Sequence, residues 1–165
     1  MFGVPFLFYI LGQKNMIMVI DSLKKLFDRD LDKLKNELSN YKVESSLWVV
    51  KKNISNSAGN LALHIIGNLN HFIGGVLGEN GYVRDRDAEF SNKDVPVNDL
   101  LQNIDEVKTI IYNTLEGISE EELLETFPIN VFGYEMTTLF FLFHLHSHLT
   151  YHLGQINYHR RLIEK

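Results

Sequence analysis

The chain's 165 residues, 45% hydrophobic and 22% charged, suit one globular domain with a core large enough to stand without staples. It has no cysteine, which excludes disulfides, thiolate zinc sites and a cysteine nucleophile, so any metal must be held by nitrogen and oxygen. A formal charge of −5 and a pI near 5.8 argue against a nucleic-acid partner, which would show a basic face; Lys51–Lys52 and Arg160–Arg161 are too short to make one.

The opening stretch MFGVPFLFYILG is apolar but too short to span a bilayer. It also lacks the basic segment and small-residue cleavage site of a secretory signal. Residues 1–17 therefore read as an apolar N-terminal extension. It either precedes a true start at Met16 or Met18 or forms an arm that packs on the body or on a partner. Residues 18–165 read as a single cytoplasmic domain with no membrane partner.

From about Met18 to Tyr41, Val19, Leu23, Leu26, Phe27, Leu31, Leu34 and Leu38 recur three and four apart, which predicts an amphipathic helix with one buried stripe. Residues 42–56 read as a structured connection, with Trp48 plugging the end of the core. A second helix starts after Ser55–Ser57, any of which can cap it, and runs to about Leu77. Its glycines are costly, about 1 kcal/mol each against alanine, and Gly67, one turn from His64, makes room beside that histidine. Gly78 and Asn80–Gly81 end it.

The charged loop YVRDRDAEFSNKDVP that follows is long for a compact bundle, and loops of that length are usually functional or disordered. Its Arg84-Asp85-Arg86-Asp87 run reads equally well as a solvated ion-pair network or as part of a site mouth. A third helix spans about Val97–Leu115. Ser119 and Glu122 form a capping-box pattern for a short helix to about Glu125. The stretch TFPINVFGYEM reads as irregular, and a fourth long helix runs from Thr137 or Thr138 to about Leu162. Arg160, Arg161 and Lys165 suit its negative C-terminal end. Four amphipathic helices without convincing strands predict an all-α four-helix bundle, and the two long connections allow crossovers.

Five of the seven histidines lie in Phe143–Arg161, FHLHSHLTYHLGQINYHRR. At about 100° per residue, His144, His148 and His152 share one helix face and His146 points away. Two imidazoles at i and i+4 can grip a metal, which needs a further ligand from elsewhere. His64 is the better candidate, with apolar neighbours and Asn68 one turn on; His71, two turns further along, is the weaker one. Gly154, small enough to admit another helix, and Gln155, able to hydrogen-bond, favour His148 and His152 over a pair built on His144. His146 and His159 read as surface or packing residues. An isolated buried histidine is more often a hydrogen-bonded core residue than a ligand.

The string H-x3-H-x-G-Q-I at His148–Ile156, together with N-L-A-L-His64-I-I-G-N, resembles the DinB/YfiT-like superfamily of four-helix-bundle metalloproteins. GQINYHRR, NSAGNLALHIIGNL and RDRDAEF look like one of its bacterial branches, and the likeness extends from about Val19 to Leu162. The resemblance implies a divalent metal, zinc or nickel first and then iron, on His64, His148 and His152. It further implies a thiol-dependent S-transferase type of activity on a small-molecule substrate, with a low-molecular-weight thiol as cofactor and a homodimeric state. Arg84 or Arg86 would dock the thiol's carboxylates. The alternatives are a metal-dependent hydrolase, with Glu135, Asp85 or Glu89 as base, and a non-catalytic metal-binding or stress-related bundle.

Overall fold

In the computed structural model, which describes residues 4–51 and 53–164 with side chains from Ile17 onward, the long helices are α1 (Val4–Ser39), α2 (Ala58–Leu69), α4 (Val97–Gly117) and α6 (Thr138–Ile163). Two short helices, α3 (Arg86–Ser91) and α5 (Glu120–Leu124), lie in the connections. A 3-10 turn at Glu44–Trp48 follows α1, and α2 continues as a π-helical segment, Asn70–Leu77. Among the described residues there is no strand, only an isolated bridge between Thr126 and Thr137. The all-α bundle expected from the four apolar stripes is the architecture found. The helix expected from about Met18 begins at Val4. Residues 1–3, the side chains of residues 4–16, Lys52 and Lys165 lie outside the described residues.

The helix boundaries follow local chemistry. Ser57, Ser119 and Thr137 each accept a backbone N–H three residues on, satisfying donors that the first helical turn leaves unpaired. Ser119 and Glu122 complete the expected capping box. On α1 the residues Leu23, Phe27, Leu31, Leu34 and Leu38 are buried, and on α4 Leu100, Ile104, Val107, Ile111 and Leu115. Both runs have the three-and-four spacing that puts one face into a core. Trp48 closes one end of that core, and its ring lies so near Gly59 that a Cβ there would sit 2.6 Å from it. Only glycine fits against the indole.

Side-chain pairs give the helix directions. Lys24 meets Glu116, Lys35 meets Asp105 and Lys108 meets Asp28 and Asp32, so α1 and α4 are antiparallel. Asp30 meets His146 while Glu37 meets Asn157 and Arg160, so α1 and α6 run parallel. α1 and α2 each pack against both α4 and α6, which places them on opposite corners. The α2 and α4 helices run the same way, since Gly74 faces Ile110 and Gly78 faces Thr114 while Leu63 and Ile66 share a groove with Asn103 and Glu106. Parallel neighbours need a connection that returns the length of the bundle. Residues 78–96 make that return, carrying α3 back along α2 until the Asn60 amide donates to the carbonyls of Glu89 and Asn92. The other long connection, residues 118–137, stays at one end, with Phe127 packed on Phe72 and Phe141.

Candidate metal centre

His64 lies on the buried face of α2, which passes α6 where His148 and His152 project from successive turns. His64 Nε2 is 3.2 Å from His148 Nε2, which is 3.0 Å from His152 Nε2. The three donor atoms all fall within 4.8 Å of one another, and the group can hold a metal ion. Two nitrogens on a tetrahedral zinc, with bonds near 2.0–2.1 Å, stand roughly 3.3 Å apart, so these spacings are close to those of a ligand set.

The remaining ring nitrogens decide which way the lone pairs point. His64 Nδ1–H donates to Glu89 Oε2 at 2.8 Å, and His152 Nδ1–H donates to Gln155 Oε1 at 2.7 Å. An imidazole whose Nδ1 carries the proton presents a lone pair at Nε2. Burial, with the neighbouring His152, His64 and His144 rings and the Arg84 guanidinium adding to it, pushes His148 down to about 3. Burial also lowers His152, against the raising effect of its Gln155 bond. His148 and His152 are therefore biased toward the neutral form, and a cation fits where the Nε2 lone pairs converge.

Sequence pattern alone does not give Glu89 this orienting role. Arg84 Nε donates to its Oε1 at 2.6 Å and Arg84 Nη2 to its Oε2 at 2.8 Å. Burial would raise the Glu89 carboxyl, but the hydrogen bonds from His64 and Arg84 outweigh it and hold it below the usual range. Gly67 makes this possible: a Cβ there would collide with the Glu89 carboxylate. The room expected beside His64 thus belongs to the acid that orients His64. A helical RDRDAEF segment capped by Asp85 was the available signal, since it places Glu89 on α3.

The structure departs from the sequence pattern at two positions. Gly154 admits no second helix, because a Cβ there would meet nothing within 4 Å; its neighbour Gln155 does bond His152, as expected. Arg84, offered as a docking group for carboxylates, is already paired in bidentate fashion with Glu89. His71 stays apart from the centre, its ring tilted against that of Phe72, with a buried Nδ1 that has no partner among the described residues. His144 packs against Phe132 and Phe141 with its ring centre 6.2 Å from that of His148. His146 points to α1 and bonds Asp30 at 3.0 Å. His159 is a core histidine, accepting from the Tyr41 hydroxyl at Nδ1 (2.7 Å) and donating from Nε2 to the Val49 carbonyl (2.8 Å). A cleft of about 350 Å³ opens against His64 and His148.

Fold and site together define a helical bundle with a three-histidine centre able to hold a metal ion. The chain belongs to the family described as "Protein of unknown function (DUF1572)", whose model matches residues 11–165. No curated protein matches it. Among the described residues, no helix is long and apolar enough to cross a membrane.

Proposed function

We propose that the protein is a DinB/YfiT-like metal-dependent enzyme in which His64, His148 and His152 hold a divalent ion and a low-molecular-weight thiol attacks an electrophilic small molecule. The observation that carries this reading is the convergence of three Nε2 atoms whose orientation is set by Glu89 and Gln155. Three imidazoles leave coordination positions open for a ligand, the arrangement of a reactive rather than a closed structural site. Neutral nitrogen ligands suit zinc, nickel or iron. A divalent ion held there would supply Lewis acidity, lowering the pKa of a coordinated thiol toward the thiolate. The chain's own part is to aim the imidazoles through Glu89 and Gln155, to hold His148 and His152 toward the neutral form by burial, and to shape the adjoining aromatic cleft.

Hydrolysis would require a free base beside the centre. Both Glu89 oxygens are engaged by His64 and Arg84, Asp85 is exposed and caps α3, and Glu135 is exposed. None of these arrangements favours the hydrolase reading.

The test combines metal analysis with thiol chemistry. Purified wild-type protein should carry a divalent metal that His64→Ala, His148→Ala and His152→Ala each lose and His144→Ala retains. The loaded protein should conjugate a physiological thiol to monochlorobimane or to a halogenated aromatic, and the stripped protein should not. Unchanged metal content in His64→Ala refutes the ligand set. A metal-loaded protein inert with every physiological thiol refutes the transferase activity.

A further inference from the structure

Residues 127–136 leave the end of the bundle as a loop that is tight at its base and loose at its tip. At the base, Phe127 N–H donates to the Met136 carbonyl at 2.8 Å and Thr138 N–H to the Glu125 carbonyl at 2.9 Å, on either side of the Thr126–Thr137 bridge. Phe127 and Met136 are buried, and the Phe127 ring packs on Phe141 with centres 4.2 Å apart. Between these anchors, residues 128–135 make no hydrogen bond among the described residues. A surface loop with close ends and an unbonded tip is the part of a fold that opens at least cost.

One ring fastens the tip. Phe132 stands edge-on to His144, ring centres 4.6 Å apart, and lies 5.9 Å from Phe141. Phe132 and Val131 also line the cleft against His64 and His148. Yet Ile129, Val131, Phe132 and Tyr134 are all exposed, so the tip gathers apolar surface beside a cleft and leaves it uncovered. Such surface marks a place where a ligand completes the burial. Gly133, next to Phe132, has a φ of +81°, a conformation that strains an L-residue but not glycine. A Cβ there would meet nothing within 4 Å, so backbone freedom, and not space, is what this glycine supplies.

We propose that residues 128–135 are a flap hinged at Gly133, and that Phe132 is the side chain by which it closes on an aromatic small molecule in the histidine cleft. Released from His144, the ring uncovers the cleft. Returned, it joins Phe72 and Phe141 as a wall suited to edge-to-face contact and keeps water from the centre. That the flap serves chemistry rests on the reading of the histidine centre as the reactive end of a substrate site; its opening does not.

The chain has no cysteine, so one introduced thiol reports opening. Leu145 lines the cleft and is 1% exposed, whereas Leu149, one turn on, is 0% exposed and does not line it. In the full chain stripped of metal, Leu145→Cys should react with methyl methanethiosulfonate about tenfold or more faster than Leu149→Cys, because the flap opens without unfolding the core. Gly133→Ala strains only the closed backbone and should speed that reaction about five- to thirtyfold further. Gly133→Asn, which tolerates the left-handed conformation, should stay near wild type. Benzyl alcohol should slow the reaction at about two- to tenfold lower concentration than cyclohexylmethanol, and Phe132→Ala should abolish that difference. Asn68→Cys, a second position lining the cleft, keeps the test available should Leu145→Cys not fold. Equal rates at positions 145 and 149, or a rate unchanged by Gly133→Ala, overturn the flap, and equal potency of the two alcohols overturns its aromatic ligand. Failure of the metal reading would show separately, as absent metal uptake by the unaltered chain.

Discussion

Glu89 Oε2 accepts a hydrogen bond from His64 Nδ1–H at 2.8 Å, and this bond joins the bundle-long crossover to the candidate metal centre. It fixes the tautomer that exposes Nε2 and makes that nitrogen a more basic donor. Carboxylates in this position typically alter metal affinity by 10–100-fold.

Replacing Glu89 by Gln should therefore lower zinc affinity by about 10–100-fold, measured by competition with a chromophoric chelator. The side chain of Arg84 is only 12% exposed. Glu89→Ala, which leaves that charge unpaired, should also cost about 3–5 kcal/mol in urea unfolding. An affinity unchanged in both variants would show that the His64–Glu89 bond does not support the centre.

Gly67 and Gly154 should respond oppositely to alanine. Both sit inside helices, where alanine is better by about 1 kcal/mol. At Gly154 a Cβ meets open space, so Gly154→Ala should gain about 0.5–1 kcal/mol without changing metal affinity. At Gly67 the methyl collides with the Glu89 carboxylate, so Gly67→Ala should lose both stability and metal affinity. Thermal melts with parallel metal titrations test the pair.

Asp30 is an acid-side stability element. Burial would raise its carboxyl, but hydrogen bonds from Arg29, Lys33 and His146 outweigh that and hold it well below its ordinary 3.8. A carboxyl depressed by folding contributes stability that is complete above the unfolded value and is lost as pH falls toward the folded one. Asp30→Asn should cost about 1.5–3 kcal/mol at pH 7. The gap between variant and wild type should narrow as urea titrations are taken below pH 3.8. A gap constant from pH 7 to pH 2.5 would refute this role.

Tyr41→Phe separates a structural histidine from the candidate ligand histidines. It leaves His159 Nδ1 without its donor in the core, which should cost about 1–3 kcal/mol in denaturant unfolding. Metal content should stay at the wild-type level. Loss of metal would show that this end of α6 is coupled to the centre.

Much of the chain could be read directly from local pattern. Ser57, the Ser119–Glu122 box and Thr137 mark helix starts because a cap acts within three residues of itself. His148 and His152 share a face because the helical repeat alone puts them there, and His64 was placed inward by its apolar neighbours. Periodicity says which face of its own helix a residue occupies; it does not say what stands opposite. The partner of His146 is Asp30 because α1 and α6 run parallel, and that of His159 is Tyr41 for the same reason. Glu89 reaches His64 because α2 and α4 also run parallel, which forces residues 78–96 back along the bundle and presses α3 onto Gly67. Helix directions and corner positions come from burying all four stripes at once, a property of the assembled core that no single stretch of chain contains.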